Sequence, residues 1–159
     1  MSRSLSWSES SSSSLPLPRT ILFLCTGNYY RSRFAAILFN HLARQQSLGW
    51  SASSRGLKIG WAGNHGALSE HTERRLREMN INFDDSRHMP LQCRACDLAE
   101  ADRVIALKEA EHRAMLAEKF NGWENRVTYW HVHDVDAAHP EVALREIEQR
   151  VRELVVSLK

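Results

Sequence analysis

Within the stretch ILFLCTGNYYRSRFAAILF, residues 21–39, Cys25 is followed six positions later by Arg31. A thiolate is a strong nucleophile, and a guanidinium presents a planar fork that matches two oxygens of an oxyanion. The intervening Thr26, Gly27, Asn28, Tyr29 and Tyr30 form a loop long enough to curl its amides around a phosphate-sized anion. Gly27 and Asn28 are residue types that tolerate the left-handed backbone such a ring of N–H groups requires. The positive field of that ring favours the thiolate over the thiol, so Cys25 is expected as the attacking form. The plain alternative is a small buried cysteine beside a surface arginine.

Chemistry of this kind depends on the elements that hold the loop. TILFLC (20–25) is a continuous run of strand formers, as expected for a parallel strand covered on both faces. SRFAAILFNHLARQQ (32–46) places Phe34, Leu38 and Leu42 on one stripe, flanked by Ala35 and Phe39, which predicts an amphipathic helix. The loop therefore runs from a strand into a helix N-terminus, where the dipole and the first backbone N–H groups suit an anion. A second strand is predicted over 49–57, a third over 102–107 and a fourth over 126–132. Helices are predicted over 67–80, on a Leu68, Thr72, Leu76, Met79 stripe, and over 108–120. A further one follows Pro140, on Leu144, Ile147, Val151, Leu154 and Leu158. This alternation predicts an α/β fold: three layers, a doubly wound four-stranded parallel sheet and helices on both faces. In such sheets ligands bind beyond the carboxyl ends of the strands, where the Cys25 loop lies.

The chain has 159 residues, 25% charged and 43% hydrophobic, with a formal charge of +2. The length suits one domain over 19–159, after a Ser-rich opening (1–18) expected to be a disordered tail. So small a charge gives no reason to expect a nucleic-acid or membrane-surface partner. Three cysteines do not make a disulfide framework, and a reducing, cytoplasmic setting is the expectation. No metal or cofactor is expected, and the chain is expected as a monomer or weak dimer.

The loop LCTGNYYRS resembles the signature loop of the low-molecular-weight protein tyrosine phosphatases, a family that shares its fold with one class of arsenate reductases. SSRGL (53–57) is similar to the family's Ser-Ala-Gly stretch, and EADRVIALKEAEH (100–112) to its Ala-Asp strand and following helix. YWHVHDV (129–135) falls where the family carries Trp-x-x-x-Asp-Pro. The resemblance implies Cys25 as nucleophile, Arg31 as phosphate clamp and Asp134 as general acid. It implies phosphate binding by Thr26, Gly27, Asn28, Tyr29, Tyr30, Arg31 and Ser32, with Ser32 also orienting the thiolate. The implied substrate is a phosphotyrosine-containing protein or a small aryl phosphate, with Tyr29 and Trp61 as candidate aromatic walls. Trp50 and Trp130 are assigned to the core.

Three departures stand out. Tyr30 replaces a second loop cysteine, Arg33 replaces a proline that opens the helix, and Val135 replaces the proline after the acid, which leaves Asp136 as an alternative donor. Cys93 and Cys96 offer either a pair of semi-buried thiols, a redox pair for arsenate reduction, or half a zinc site with His88. His131 and His133 beside Asp134 raise a metallohydrolase, and a catalytically silent phosphotyrosine-binding module is the remaining alternative.

Overall fold

The computed structural model describes residues 19–60, 66–132 and 139–159. The opening tail therefore lies outside the described residues. The elements run β1 (Arg19–Cys25), α1 (Arg31–Gln45), β2 (Trp50–Gly56), α2 (Glu70–Glu78) and α3 (Ala95–Glu100). They continue through β3 (Arg103–Ala106), α4 (Glu109–Lys119), β4 (Thr128–Tyr129) and α5 (Pro140–Ser157). The four strands form one parallel sheet in the order β2-β1-β3-β4, as the alternating pattern predicts.

Central β1 explains the layering. Its successive side chains point to opposite faces, and both faces are buried. Ile21 and Phe23 pack with Phe34, Leu38 and Phe39 of α1 and Ile147 of α5. Leu22 and Leu24 pack with Leu98 of α3 and Leu116 of α4 on the other face. Helices α1 and α5 thus cover one face of the sheet and α3 and α4 the other, while α2 packs on α1 and α5. Helix α2 begins at Glu70 rather than at residue 67 because Ser69 caps it, its hydroxyl accepting from the His71 N–H at 3.2 Å.

The fourth strand is shorter than the 126–132 run predicts. Beyond Tyr129 the N–H groups of Trp130 and Val132 still donate to Ala106 and Leu107. Lys108 and His131, however, meet in the antiparallel sense, so regular parallel pairing stops. Trp130 is in the core, tilted against Phe23 at 5.6 Å between ring centroids. Trp50 is only half-buried: as the first residue of β2 it packs at the core's margin, covered by the guanidinium groups of Arg19 and Arg103. Among the described residues no helix is long and apolar enough to cross a membrane.

Candidate active site

Cys25 ends β1 opposite Gly56, the last residue of β2. The loop that follows is held against the exit of β2. The Leu57 N–H donates to the Cys25 carbonyl and the Lys58 N–H to the Thr26 carbonyl, each at 2.9 Å. Only glycine fits at position 56, since a Cβ there would lie 2.8 Å from the Thr26 carbonyl oxygen. Asn28, rather than Gly27, takes the left-handed conformation, at φ 50°. Helix α1 then starts with no side-chain cap and no acidic residue in its first turn. The positive end of its dipole faces the loop.

A chain of buried hydrogen bonds ends on Cys25. The Leu91 N–H donates to Asn28 Oδ1 at 2.9 Å, so Asn28 Nδ2 must be the donor on the other side. It donates to Ser32 Oγ at 3.0 Å and to Ser54 Oγ at 2.9 Å. Ser32 Oγ, which accepts from Asn28, lies 2.9 Å from Cys25 Sγ; its O–H is the donor when the sulfur is a thiolate. Asn28 and Ser32 are fully buried, so each step runs without competition from water.

Arg31 is nearly buried and its Nη2 donates to Glu111 Oε2 of α4 at 3.0 Å. The same carboxylate accepts from the Thr26 hydroxyl. His112, fully buried, accepts at Nδ1 from the Lys108 N–H at 3.1 Å. Its proton therefore sits on Nε2, 3.2 Å from Glu111 Oε2 and from Thr26 Oγ1. Burial holds His112 below the ordinary imidazole range, outweighing the raising effect of its bond to Glu111. Burial alone would push the Glu111 carboxyl up, but His112, the Arg31 guanidinium and the Thr26 hydroxyl together hold it well below the usual range. Glu111 is thus an ionised brace between α4 and the loop arginine.

Of the residues predicted for the site, Cys25, Ser32 and Asn28 share one hydrogen-bonded chain, and Thr26 and Arg31 meet on the Glu111 carboxylate. Tyr29 is half-buried in a depression lined by Leu68, Ser69, Glu70 and His71, beside the start of α2. Tyr30 is buried and its hydroxyl donates to the Pro140 carbonyl at 3.1 Å. Asp134, Asp136, Trp61 and His133 lie outside the described residues. His131 is exposed, 3.8 Å from Glu109, and among the described residues no group of three His, Cys, Asp or Glu side chains is placed to hold a metal ion. Cys93 is buried and Cys96 exposed, as semi-buried thiols would be. Burial, with Asp97 nearby, pushes the Cys93 thiol up to about 12, so it stays protonated and a poor redox partner.

Sequence reasoning passed over Ser54, Glu111, His112 and the side-chain role of Asn28. For Ser54 the signal was its place in the SSRGL stretch. Glu111 and His112 fall in the helix predicted over 108–120 without an assigned role, and only their bonds to Arg31 and Thr26 show one.

The model of the low molecular weight phosphotyrosine protein phosphatases matches residues 20–159. The chain belongs to that family. This family member is 28% identical over 107 residues to the protein-arginine-phosphatase of Bacillus subtilis (strain 168), covering 67% of each chain. Among solved structures it resembles the low molecular weight protein tyrosine phosphatase from T. tengcongensis, at 25% identity and a TM-score of 0.73, covering 88% of this chain and 99% of the other. It also resembles YfkJ from Bacillus subtilis, at 27% identity and a TM-score of 0.74, covering 88% and 94%. The chain is a phosphatase of this family.

Proposed function

We propose that the protein hydrolyses phosphate monoesters of aryl type, phosphotyrosine above all, through a cysteinyl-phosphate on Cys25 and without a metal. The observation that carries this reading is the 2.9 Å contact between Cys25 Sγ and Ser32 Oγ, in a loop whose Arg31 is braced by Glu111. Cys25 Sγ attacks phosphorus, the bond from phosphorus to the ester oxygen breaks, and the departing oxygen takes a proton from Asp134. Water then attacks phosphorus and gives a proton to Asp134. The sulfur–phosphorus bond breaks, which releases inorganic phosphate and restores the thiolate. Arg31 and the amides of residues 26–32 carry the charge that develops on the phosphoryl oxygens.

Support for Asp134 comes from the anchored ends of its segment. Val132 is tied to Leu107 at the carboxyl end of the sheet, and Pro140 receives the Tyr30 hydroxyl from the cradle itself. Asp136 is the alternative donor. Tyr29 supplies one aromatic wall and Trp61 a second. We place the protein in the cytoplasm, as a single domain over 19–159 that works as a monomer or weak dimer.

A second reading, phosphoarginine as substrate, is favoured by the protein-arginine-phosphatase relative. The test compares p-nitrophenyl phosphate, a phosphotyrosine peptide and a phosphoarginine peptide in the presence of a chelator. Faster turnover of the aryl esters is expected. Preference for phosphoarginine supports the second reading, and loss of all turnover on chelation contradicts both.

A further inference from the structure

Arg33 lies one turn into α1, 1% exposed, and makes four hydrogen bonds. Its Nη1 donates to the Asn28 carbonyl at 3.2 Å and the Ala67 carbonyl at 3.0 Å. Its Nη2 donates to the Ser86 carbonyl at 2.6 Å and the His88 carbonyl at 2.8 Å. All these acceptors are main-chain carbonyls. Among the described residues no carboxylate forms an ion pair with it, and a buried cation without an anionic partner is costly.

Two features say what this arrangement is for. A loop that turns its N–H groups inward to an anion turns carbonyls outward, and an outward carbonyl in a buried site needs a donor. Asn28 is the left-handed residue that makes the turn, and Arg33 supplies the donor for its carbonyl. We propose that Arg33 is a positioning residue of the cradle: it clamps the Asn28 turn from outside and sets a buried positive charge behind Cys25. This rests on the reading of Cys25 as nucleophile.

The charges around Arg33 agree with that role. Burial holds its guanidinium below the ordinary arginine range, and Cys25 is the group whose negative charge opposes that effect. Exposed Asp85 and His88 line the same crevice, as does Arg55, which is paired with Asp97. On the cradle's other side Glu111 is engaged by Arg31, Thr26 and His112. Asp85 is exposed and forms no ion pair with Arg33 among the described residues, so the negative charge set against Arg33 inside the fold is that of Cys25 and, once bound, of the substrate's phosphoryl oxygens. Lysine at this position keeps the charge but cannot span the same carbonyls. Glutamine keeps two donors and no charge.

The experiment measures the pH dependence of Cys25 alkylation by iodoacetamide, read on the Cys25 peptide by mass spectrometry, in wild type, Arg33→Lys and Arg33→Gln. It is run beside kcat/KM for p-nitrophenyl phosphate and thermal unfolding. Arg33→Gln is expected to raise the alkylation midpoint by about one pH unit, as loss of a nearby opposite charge does. It should lower kcat/KM by about tenfold or more, matching one displaced donor set. Arg33→Lys is expected to hold the midpoint near wild type while kcat/KM falls. Equal midpoints in wild type and Arg33→Gln, or equal displacement in both variants, overturn the inference. If Arg33→Gln does not fold, Arg33→Lys decides, and unchanged kcat/KM and phosphate affinity in it overturn the clamp. A wild-type protein that hydrolyses no phosphate ester overturns the functional reading instead, so the two failures are distinguishable.

Discussion

Replacing Asn28 tests whether the cradle is built as described, because this residue carries both the turn and the chain of bonds to the nucleophile. Its side chain makes three buried hydrogen bonds, to Ser32, to Ser54 and from the Leu91 N–H. At about 1 kcal/mol net for each, Asn28→Gly should cost about 3 kcal/mol. In a domain of this size that lowers the melting temperature by about 10 °C. Asn28→Ala loses the same bonds and must also place a Cβ at φ 50°. The left-handed conformation costs an alanine about 1–2 kcal/mol, partly offset by the smaller chain entropy that alanine loses on folding. The alanine variant should therefore be less stable than the glycine variant by about 0.5–1 kcal/mol, reversing the usual order of these residues. Denaturant unfolding of all three proteins reads the stability. Hydrolysis of p-nitrophenyl phosphate reads the loss of Ser32 orientation, expected as about a hundredfold fall in kcat/KM. An alanine variant as stable as the glycine variant, or either with wild-type activity, refutes the reasoning.

Gly56→Ala should destabilise by about 1–3 kcal/mol, as other overpacked sites do. It should also lower kcat/KM, because besides the Ile59 side chain the atoms that must yield are the Thr26 carbonyl oxygen and the Asn28 Cβ of the cradle; a thermal melt and a rate assay check both. Glu111 has a folded-state pKa below its ordinary 4.5, so the stability it contributes is present above that pH and is lost as pH falls below it. His112, held below its ordinary 6.5, adds loss that begins as pH falls below 6.5. Urea titrations against pH should thus show a shallower acid limb for Glu111→Gln than for wild type, and parallel limbs count against the brace. Cys93→Ala with Cys96→Ser should keep kcat/KM for p-nitrophenyl phosphate unchanged, since the Cys93 thiol points to the Arg94 carbonyl and Cys96 is exposed. If that double variant lost an arsenate-dependent oxidation of thioredoxin seen in wild type, the reductase reading would return.

The fold was legible because its signal is local. The apolar run before Cys25 and the stripe through Phe34, Leu38 and Leu42 each declare their element and its buried side. The approach of Ser32 to Cys25 follows from a strand, a short loop and a helix that are contiguous in the chain. What was illegible depends on residues far apart in sequence. Glu111 reaches Arg31 across 80 positions, and Leu91 reaches Asn28 across 63. Nothing in KEAEHRAM separates a carboxylate that braces a loop from one that faces water. Arg33 read only as a departure from a proline, because its acceptors are backbone carbonyls, which leave no mark on residue type. The end of β4 was misjudged for a related reason: apolar character persists through Trp130 and Val132, while the sense of pairing changes at His131.

The central claim is that Cys25 carries the phosphoryl group during turnover. Rapid acid quenching of the wild-type protein reacting with p-nitrophenyl phosphate, followed by mass spectrometry of its peptides, tests it most directly. The account predicts one phosphoryl group on the Cys25 peptide, absent from Cys25→Ala, which should also lack turnover. Steady hydrolysis with no phosphoryl-cysteine, or undiminished hydrolysis by Cys25→Ala, would contradict it.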